Sequence, residues 1–169
     1  MDYLLENVMF IESKKNENSK WDIIENKMNF KFPQDYKEFI DIYGEGGING
    51  FLWILSPFSK YNHLNLVNKF HEMKNAYDYM KNEDSEQFFL NFYEGEYGIF
   101  PWAVTDNGDE LYWNVKEDGI EIIIYASRYS DIEVFNMSTT EFLYKLLSKD
   151  LICSIFPDDF LIDSNYYEL

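Results

Sequence analysis

Two aromatic-rich apolar runs meet at Asp106-Asn107-Gly108-Asp109, inside the stretch Gly98–Val115, GIFPWAVTDNGDELYWNV. An Asn-Gly pair takes the two positive φ angles of a type I′ turn, and the twist of that turn suits antiparallel strands. Trp102 and Val104 lead in, and Leu111, Trp113 and Val115 lead out, at the two-residue spacing of one strand face. The expectation is a central β-hairpin with an acidic tip.

The rest of the chain places helices before this hairpin and strands after it. Residues 1–12 are expected as a short helix with Tyr3, Leu4, Val8 and Ile11 on one side, and Lys14–Lys20 as a polar loop. Ser19 can cap the next helix, with Asp22 three residues on, and Trp21, Ile24 and Met28 share a face. Phe32-Pro33 breaks that pattern, because a residue before proline avoids the helical region. Pro33 suits the first turn of a second helix, Gln34–Tyr43, which buries Tyr36, Phe39, Ile40 and Tyr43. Gly44-Glu45-Gly46-Gly47 stops it, glycine allowing a left-handed cap. Ile48–Leu55 reads as a strand. Asn65–Asn82 reads as a third helix with Leu66, Phe70, Met73, Tyr77 and Met80 inward. Phe88–Tyr93 is extended and precedes a tight Glu94-Gly95-Glu96 turn.

Beyond the hairpin, Lys116-Glu117-Asp118-Gly119 makes a turn and Glu121–Ala126 a strand. Its Ile122-Ile123-Ile124 run points to burial on both faces and a central place. Another strand, Ile132–Phe135, follows the turn Ser127–Asp131. Ser138-Thr139-Thr140-Glu141 matches a capping box ahead of helix Phe142–Ser148, whose buried stripe is Phe142, Leu143, Leu146 and Leu147. The tail, residues 150–169, carries Ile155, Phe156, Phe160 and Ile162 and is expected to pack back on the body. Helices, then meandering strands, then a helix give an α+β class around an antiparallel sheet. No repeat or long linker divides the chain, so 1–169 is expected as one domain.

Charge narrows the partners. The chain has 31 acidic and 14 basic residues, a net charge of −17. Such a surface repels nucleic acid and anionic membranes, which need Lys and Arg, and it attracts basic partners. Solubility alone also accounts for an acidic surface. Aromatic residues make up 20% of the chain, enough to fill a core and leave rings for a binding surface. The single cysteine, Cys153, rules out an internal disulfide and fits a reducing compartment. The N-terminus MDYLLENVMFIESKK has an acid where a signal peptide carries bases, and no apolar run approaches the roughly 18 residues of a membrane span. A cytoplasmic protein is expected, monomeric by default.

Catalytic, metal and cofactor residues are not expected. The only histidines are His63 and His71, and Cys153 is far from both in sequence. Zinc needs more Cys and His than the chain offers. Asp106, Asn107 and Asp109 lack the ligand spacing and closing Glu of a calcium loop. Gly44–Gly50 follows a helix rather than preceding one, where the dipole repels phosphate. Acidic residues gather instead in three turns: Glu94 and Glu96; Asp106, Asp109 and Glu110; Glu117 and Asp118. Successive hairpins alternate ends of a sheet, so the Asp106 tip is expected opposite the Glu94 and Asp118 turns. The candidate partner-binding residues are Glu94, Glu96, Asp106, Asp109 and Glu110.

Five segments follow one another along the chain: Trp21 with Ile24-Glu25, FKFPQDYKEFIDIYGEGGINGFLWILSPF, GIFPWAVTDNGDELYWNV, MSTTEFLYKLL and IFPDDF. This order resembles the SUKH superfamily, specifically its Smi/Knr-type domains, over roughly residues 21–160, with residues 1–20 as an extension. The resemblance implies an α+β domain with helices packed on a curved antiparallel sheet and no established catalytic set. It also implies a protein-binding role. Bacterial members are largely immunity proteins that silence polymorphic toxins, and fungal members are interaction scaffolds in cell-wall regulation. The partner the resemblance implies is a cognate toxin with a nuclease or other cytotoxic domain, and the acidic balance favours a basic one. A regulatory scaffold and an undescribed enzyme are the alternatives.

Overall fold

The central hairpin sits inside a larger sheet than its own sequence announces. The computed structural model describes residues 5–11, 20–128 and 131–169. Those residues form helices α1 (Trp21–Met28), α2 (Gln34–Tyr43), α3 (Leu66–Glu83) and α4 (Thr139–Leu147). The strands are β1 (Met9–Ile11), β2 (Gly46–Ile48), β3 (Leu52–Ile54), β4 (Gly98–Thr105), β5 (Glu110–Lys116), β6 (Gly119–Tyr125), β7 (Ile132–Phe135) and β8 (Asn165–Glu168). They make one open eight-stranded sheet in the order β1-β8-β2-β3-β4-β5-β6-β7. Every pairing is antiparallel except β1 with β8, so the sheet is mixed within the expected α+β class.

The hairpin β4–β5 forms where expected, but its turn does not. Gly108 has φ 86° while Asn107 keeps a negative φ, which excludes a type I′ turn. Gly108 N–H donates to Thr105 O (3.0 Å) and Thr105 N–H to Asp109 O (2.9 Å), enclosing three loop residues. This is a type I turn followed by a left-handed glycine, the usual three-residue hairpin loop. The chain's other Asn-Gly pair has the primed geometry instead: Asn49 (φ 53°) and Gly50 (φ 64°), closed by Phe51 N–H to Ile48 O at 3.0 Å. Ile48–Leu55, expected as a single strand, therefore holds the turn and the second strand of a hairpin whose first strand begins at Gly46. Gly46 and Gly47 are strand residues because nothing larger fits. A Cβ on Gly46 would lie 2.6 Å from Glu168 O, and one on Gly47 2.8 Å from the Trp53 ring.

A bulge sets the faces of the central hairpin. Pro101 pairs with Tyr112 and Ala103 with Leu111, which leaves Trp102 as the extra residue. Proline lacks a ladder N–H, and a bulge is one of the places where a strand tolerates it. Phe100, Leu111, Trp113, Ile122 and Ile124 then share one face by register, and Glu110, Tyr112, Ile123 and Tyr125 the other. Val104 pairs with Glu110 on that second face, so it does not line up with Trp113 as its spacing implied.

Both faces are covered. On the first, Trp113 meets Tyr36 edge-on at 4.7 Å and its Nε1–H donates to Thr139 Oγ1 at 3.0 Å. Trp102 stacks on Trp113 at 6.1 Å and meets Phe142 at 6.2 Å. On the second, Phe92 lies 5.7 Å from Tyr112 and Phe88 6.2 Å from Tyr125, with Tyr77 of α3 against both phenylalanines. Ile122, Ile123 and Ile124 are all buried, as a strand covered on both sides requires, although β6 is next to the edge strand β7 rather than at the middle.

Helix α2 buries the four residues its spacing selects, Tyr36, Phe39, Ile40 and Tyr43. Tyr36 Oη donates to Leu55 O at 2.5 Å, fixing α2 to the sheet. Asp35 accepts from Thr140 N–H at 2.8 Å and so joins the first turns of α2 and α4. Ser138 caps α4 by accepting from Glu141 N–H at 3.4 Å, and Asn65 caps α3 by accepting from Asn68 N–H at 3.1 Å. Helix α1 has Lys20 at its N-cap with no side-chain cap, while Ser19 lies outside the described residues. So do most of the Lys14–Lys20 loop and residues 129–130 of the turn after β6.

The termini depart furthest from expectation. Of the helix expected over 1–12, Leu5 and Glu6 are helical, Met9–Ile11 instead form β1, and residues 1–4 and 12 lie outside the described residues; Leu5 and Met9 are buried. The C-terminal tail ends in a strand, β8, inserted between β1 and β2. Asn49 holds it there: its Nδ2–H donates to Phe160 O (2.9 Å) and Asn165 Oδ1 (2.8 Å), and its Oδ1 accepts from Tyr166 N–H (3.0 Å).

Candidate partner-binding surface

The register of the central hairpin distributes the acidic candidates. Gly98 pairs with Val115, so the Glu94–Tyr97 turn and the Glu117-Asp118 turn share one end of the sheet. The Asp106 tip lies at the other end. Glu94 and Glu96 are exposed, and Glu94 accepts an ion pair from Lys74 at 2.9 Å. Lys74 also meets Asp78 at 2.7 Å, and hydrogen bonds to these two carboxylates raise its pKa. Asp106 is exposed at the tip.

Asp109 and Glu110 face elsewhere. Asp109 is only 4% exposed and works inside the loop. Its Oδ2 accepts from Thr105 Oγ1–H at 2.8 Å, its Oδ1 from Ser127 N–H at 3.2 Å, and its own N–H donates to Thr105 Oγ1 at 2.9 Å. Glu110 is half-buried on the face that α3 covers and accepts from Tyr112 Oη–H. Burial raises its pKa, while the Tyr112 hydrogen bond and the more distant charge of Lys69 draw it partly back. The structure thus brings together Glu94 and Glu96 at one end and leaves Asp106 alone as the outward carboxylate of the hairpin tip.

Two exposed aromatic residues that spacing did not single out stand beside the first group. Phe89 (58% exposed) and Tyr97 (49% exposed) line a cleft of about 380 Å³ with Leu90 and Val115, rimmed by Lys116 and Glu117. Phe89 sat within a run expected to be extended, and its exposure depends on which side of that segment faces Phe92 and the sheet. A second cavity, of about 240 Å³, opens between α3 and β5–β6 and includes Glu110 in its wall.

The nucleophile and base types lie apart in character. His63 and His71 are exposed, and Cys153 is buried. Burial, reinforced by nearby Glu133, pushes the Cys153 thiol up to about 12, so it is not a thiolate at neutral pH. Among the described residues no group of three or more His, Cys, Asp or Glu is placed to hold a metal ion. Nor is any helix among them long and apolar enough to cross a membrane.

A feature with no local sequence signal is Glu25, buried at 4% exposure on a helix whose other inward residues are apolar. It accepts from Lys31 Nζ (2.6 Å), Lys37 Nζ (3.2 Å) and Phe32 N–H (3.3 Å), so its role is to tie α1 to the start of α2.

Comparison with known protein families gives a match. The model of a family described as SUKH_5: SMI1-KNR4 cell-wall matches residues 4–127. That match begins ahead of β1 and ends just past β6. No curated protein and no solved structure matches the chain.

Proposed function

The chain belongs to the SUKH_5 family, SMI1-KNR4 cell-wall, and on that premise we propose that it is a non-catalytic protein-binding module: a cytoplasmic immunity protein that binds and neutralises a cognate basic toxin. The observation that supports this reading most is the net charge of −17, with exposed carboxylates at both ends of the sheet and exposed aromatic rings beside one group of them. Aromatic anchors surrounded by charge are the common make-up of a protein-binding patch. The carboxylates of such a protein occupy the basic residues with which a nuclease would otherwise meet phosphate. Neutralisation is then occlusion and needs no chemistry.

A second reading, a regulatory scaffold for a host protein, draws on the cell-wall description of the matched family. A toxin gene immediately upstream favours immunity over scaffold.

The test is stopped-flow association with the product of that gene across a salt series. Electrostatic steering raises association from about 10⁵–10⁶ M⁻¹s⁻¹ toward about 10⁸ M⁻¹s⁻¹ at low salt. The screening length falls from about 30 Å at 0.01 M to about 10 Å at 0.1 M, so association slows steeply and dissociation changes little. A salt-independent association rate overturns the electrostatic mechanism. Absence of any complex overturns the immunity reading.

A further inference from the structure

The cavity between α3 and β5–β6 holds a carboxylate whose chemistry is left incomplete. Glu110 and Tyr125 are cross-strand partners and project from the same face of the sheet, toward α3. Buried Met73, Tyr77, Phe88 and Tyr125 form the floor and walls, and Met80, 44% exposed, stands at the mouth. Gln87 and Ser127 add polar groups to this largely apolar and aromatic cup, and Glu110 brings its one formal negative charge. Oε2 accepts from Tyr112, and Oε1 accepts no hydrogen bond among the described residues. No lysine or arginine among them lies within ion-pair distance of it. Lys69 of α3 acts on it only through longer-range attraction, and that amine is committed to Glu72 at 3.1 Å.

The geometry points to this cavity as the receptor for one cationic side chain, arginine above all, presented by a basic partner protein. Three features select that occupant. The volume of about 240 Å³ lies below the roughly 300–1,000 Å³ of small-molecule sites and accommodates a single long side chain. Methionine and aromatic walls suit the methylene stem and offer ring faces to a guanidinium. The carboxylate offers its second oxygen to a charge-assisted hydrogen bond, roughly twice as strong as a neutral one. The burial that raises the pKa of Glu110 marks a cost that a bound cation relieves. A desolvated arginine in a central pocket is also a common energetic hot spot of protein interfaces.

This inference rests on the protein-binding reading, but its test needs no toxin, so either can fail without the other. Capped arginine (N-acetyl-arginine N-methylamide) is titrated into the full chain and followed by amide NMR, beside its uncharged isostere, capped citrulline. Saturable shifts at Tyr77, Phe88, Tyr125 and Ser127 are expected for arginine, with citrulline at least about tenfold weaker. Glu110→Gln keeps an acceptor for Tyr112 and should weaken arginine by a similar factor. Met80→Arg, at an exposed position, places an internal cation over the mouth and should also weaken it while leaving the fold intact. Equal binding of citrulline, unchanged binding in both variants, or shifts confined to the Glu94–Tyr97 turn overturns the assignment.

Discussion

Asp109→Ala should destabilise the fold, although Asp109 reads in the sequence as a solvated turn acid. Its carboxylate accepts from Thr105 Oγ1 at 2.8 Å and from Ser127 N–H at 3.2 Å, at 4% exposure. Hydrogen bonds to a charged group contribute about 1.5–3 kcal/mol each. The two share one carboxylate and are not additive, and Ser127 itself is exposed, so water can reach its freed N–H. The expected loss is therefore about 2–3 kcal/mol, the upper part of one such bond rather than the sum of two. With a urea slope of about 2 kcal/mol/M, the unfolding midpoint should fall by about 1 M or somewhat more at unchanged slope. Asp109→Asn retains one acceptor oxygen and should fall between Ala and the parent. Thr105→Val removes the hydroxyl that joins the carboxylate to the Asp109 amide, so the double variant should show a coupling of about 0.5–3 kcal/mol. Asp106→Ala, exposed at the same tip, should stay within about 0.5 kcal/mol. If Asp109→Ala shifts the midpoint no more than Asp106→Ala does, the loop is not held together by this carboxylate and the argument fails.

Two further predictions concern other polar side chains that tie segments together. Asn49→Ala removes three side-chain hydrogen bonds to the 160–166 segment and puts a Cβ-bearing residue without amide compensation at φ 53°, and it should cost about 2–4 kcal/mol in urea melts. Faster amide exchange should appear first in β8; uniform protection across the sheet would contradict it. Burial raises the pKa of Glu25, but hydrogen bonds from Lys31 and Lys37 outweigh it and leave that pKa lowered. A depressed folded pKa stabilises above the unfolded value, so this contribution is present above pH 4.5 and is lost as pH falls through the folded value. Urea midpoints in that acid range should fall less steeply for Lys37→Met than for the parent, and parallel profiles would refute the coupling.

What was legible follows from what repeats. Tyr36, Phe39, Ile40 and Tyr43 recur at helical spacing over a whole helix, and α2 has the expected bounds. The Ser138 cap was legible because it is local, its donor only three residues on, and Ile132–Phe135 because it pairs with the strand just before it in the chain. The two Asn-Gly pairs show where local reading stops. Both can form a primed turn; the strand register around Asn107 encloses three residues and chooses the other loop, while Asn49 takes the primed geometry beside β8. Trp102 is displaced by a bulge whose only sequence signal is Pro101 inside an otherwise regular strand. Glu25 was invisible because a buried glutamate is recognised by its lysine partners, and Lys37 is twelve residues away. In the candidate surface, the opposite ends of the hairpin were derivable from alternation of turns. The inward aim of Asp109 and Glu110 was not, since it depends on Thr105, Tyr112 and α3.

The placement of β8 has a consequence for how the protein is made. One side of the sheet, β1-β8-β2, is joined only by residues 165–168. At about 5–20 residues per second, β1 is synthesised roughly 8–30 s before the strand it must lie beside. During that interval the β2–β3 hairpin has its ladder groups open on the β8 side, the kind of edge that recruits a stray strand from another nascent chain. Gly46 and Gly47 leave that edge almost bare of side chains, which limits what a foreign strand can grip. A chain cut short ahead of Asn165 therefore keeps the β4–β5 pairing but leaves the β2 edge without its partner strand and β1 with no strand to lie beside.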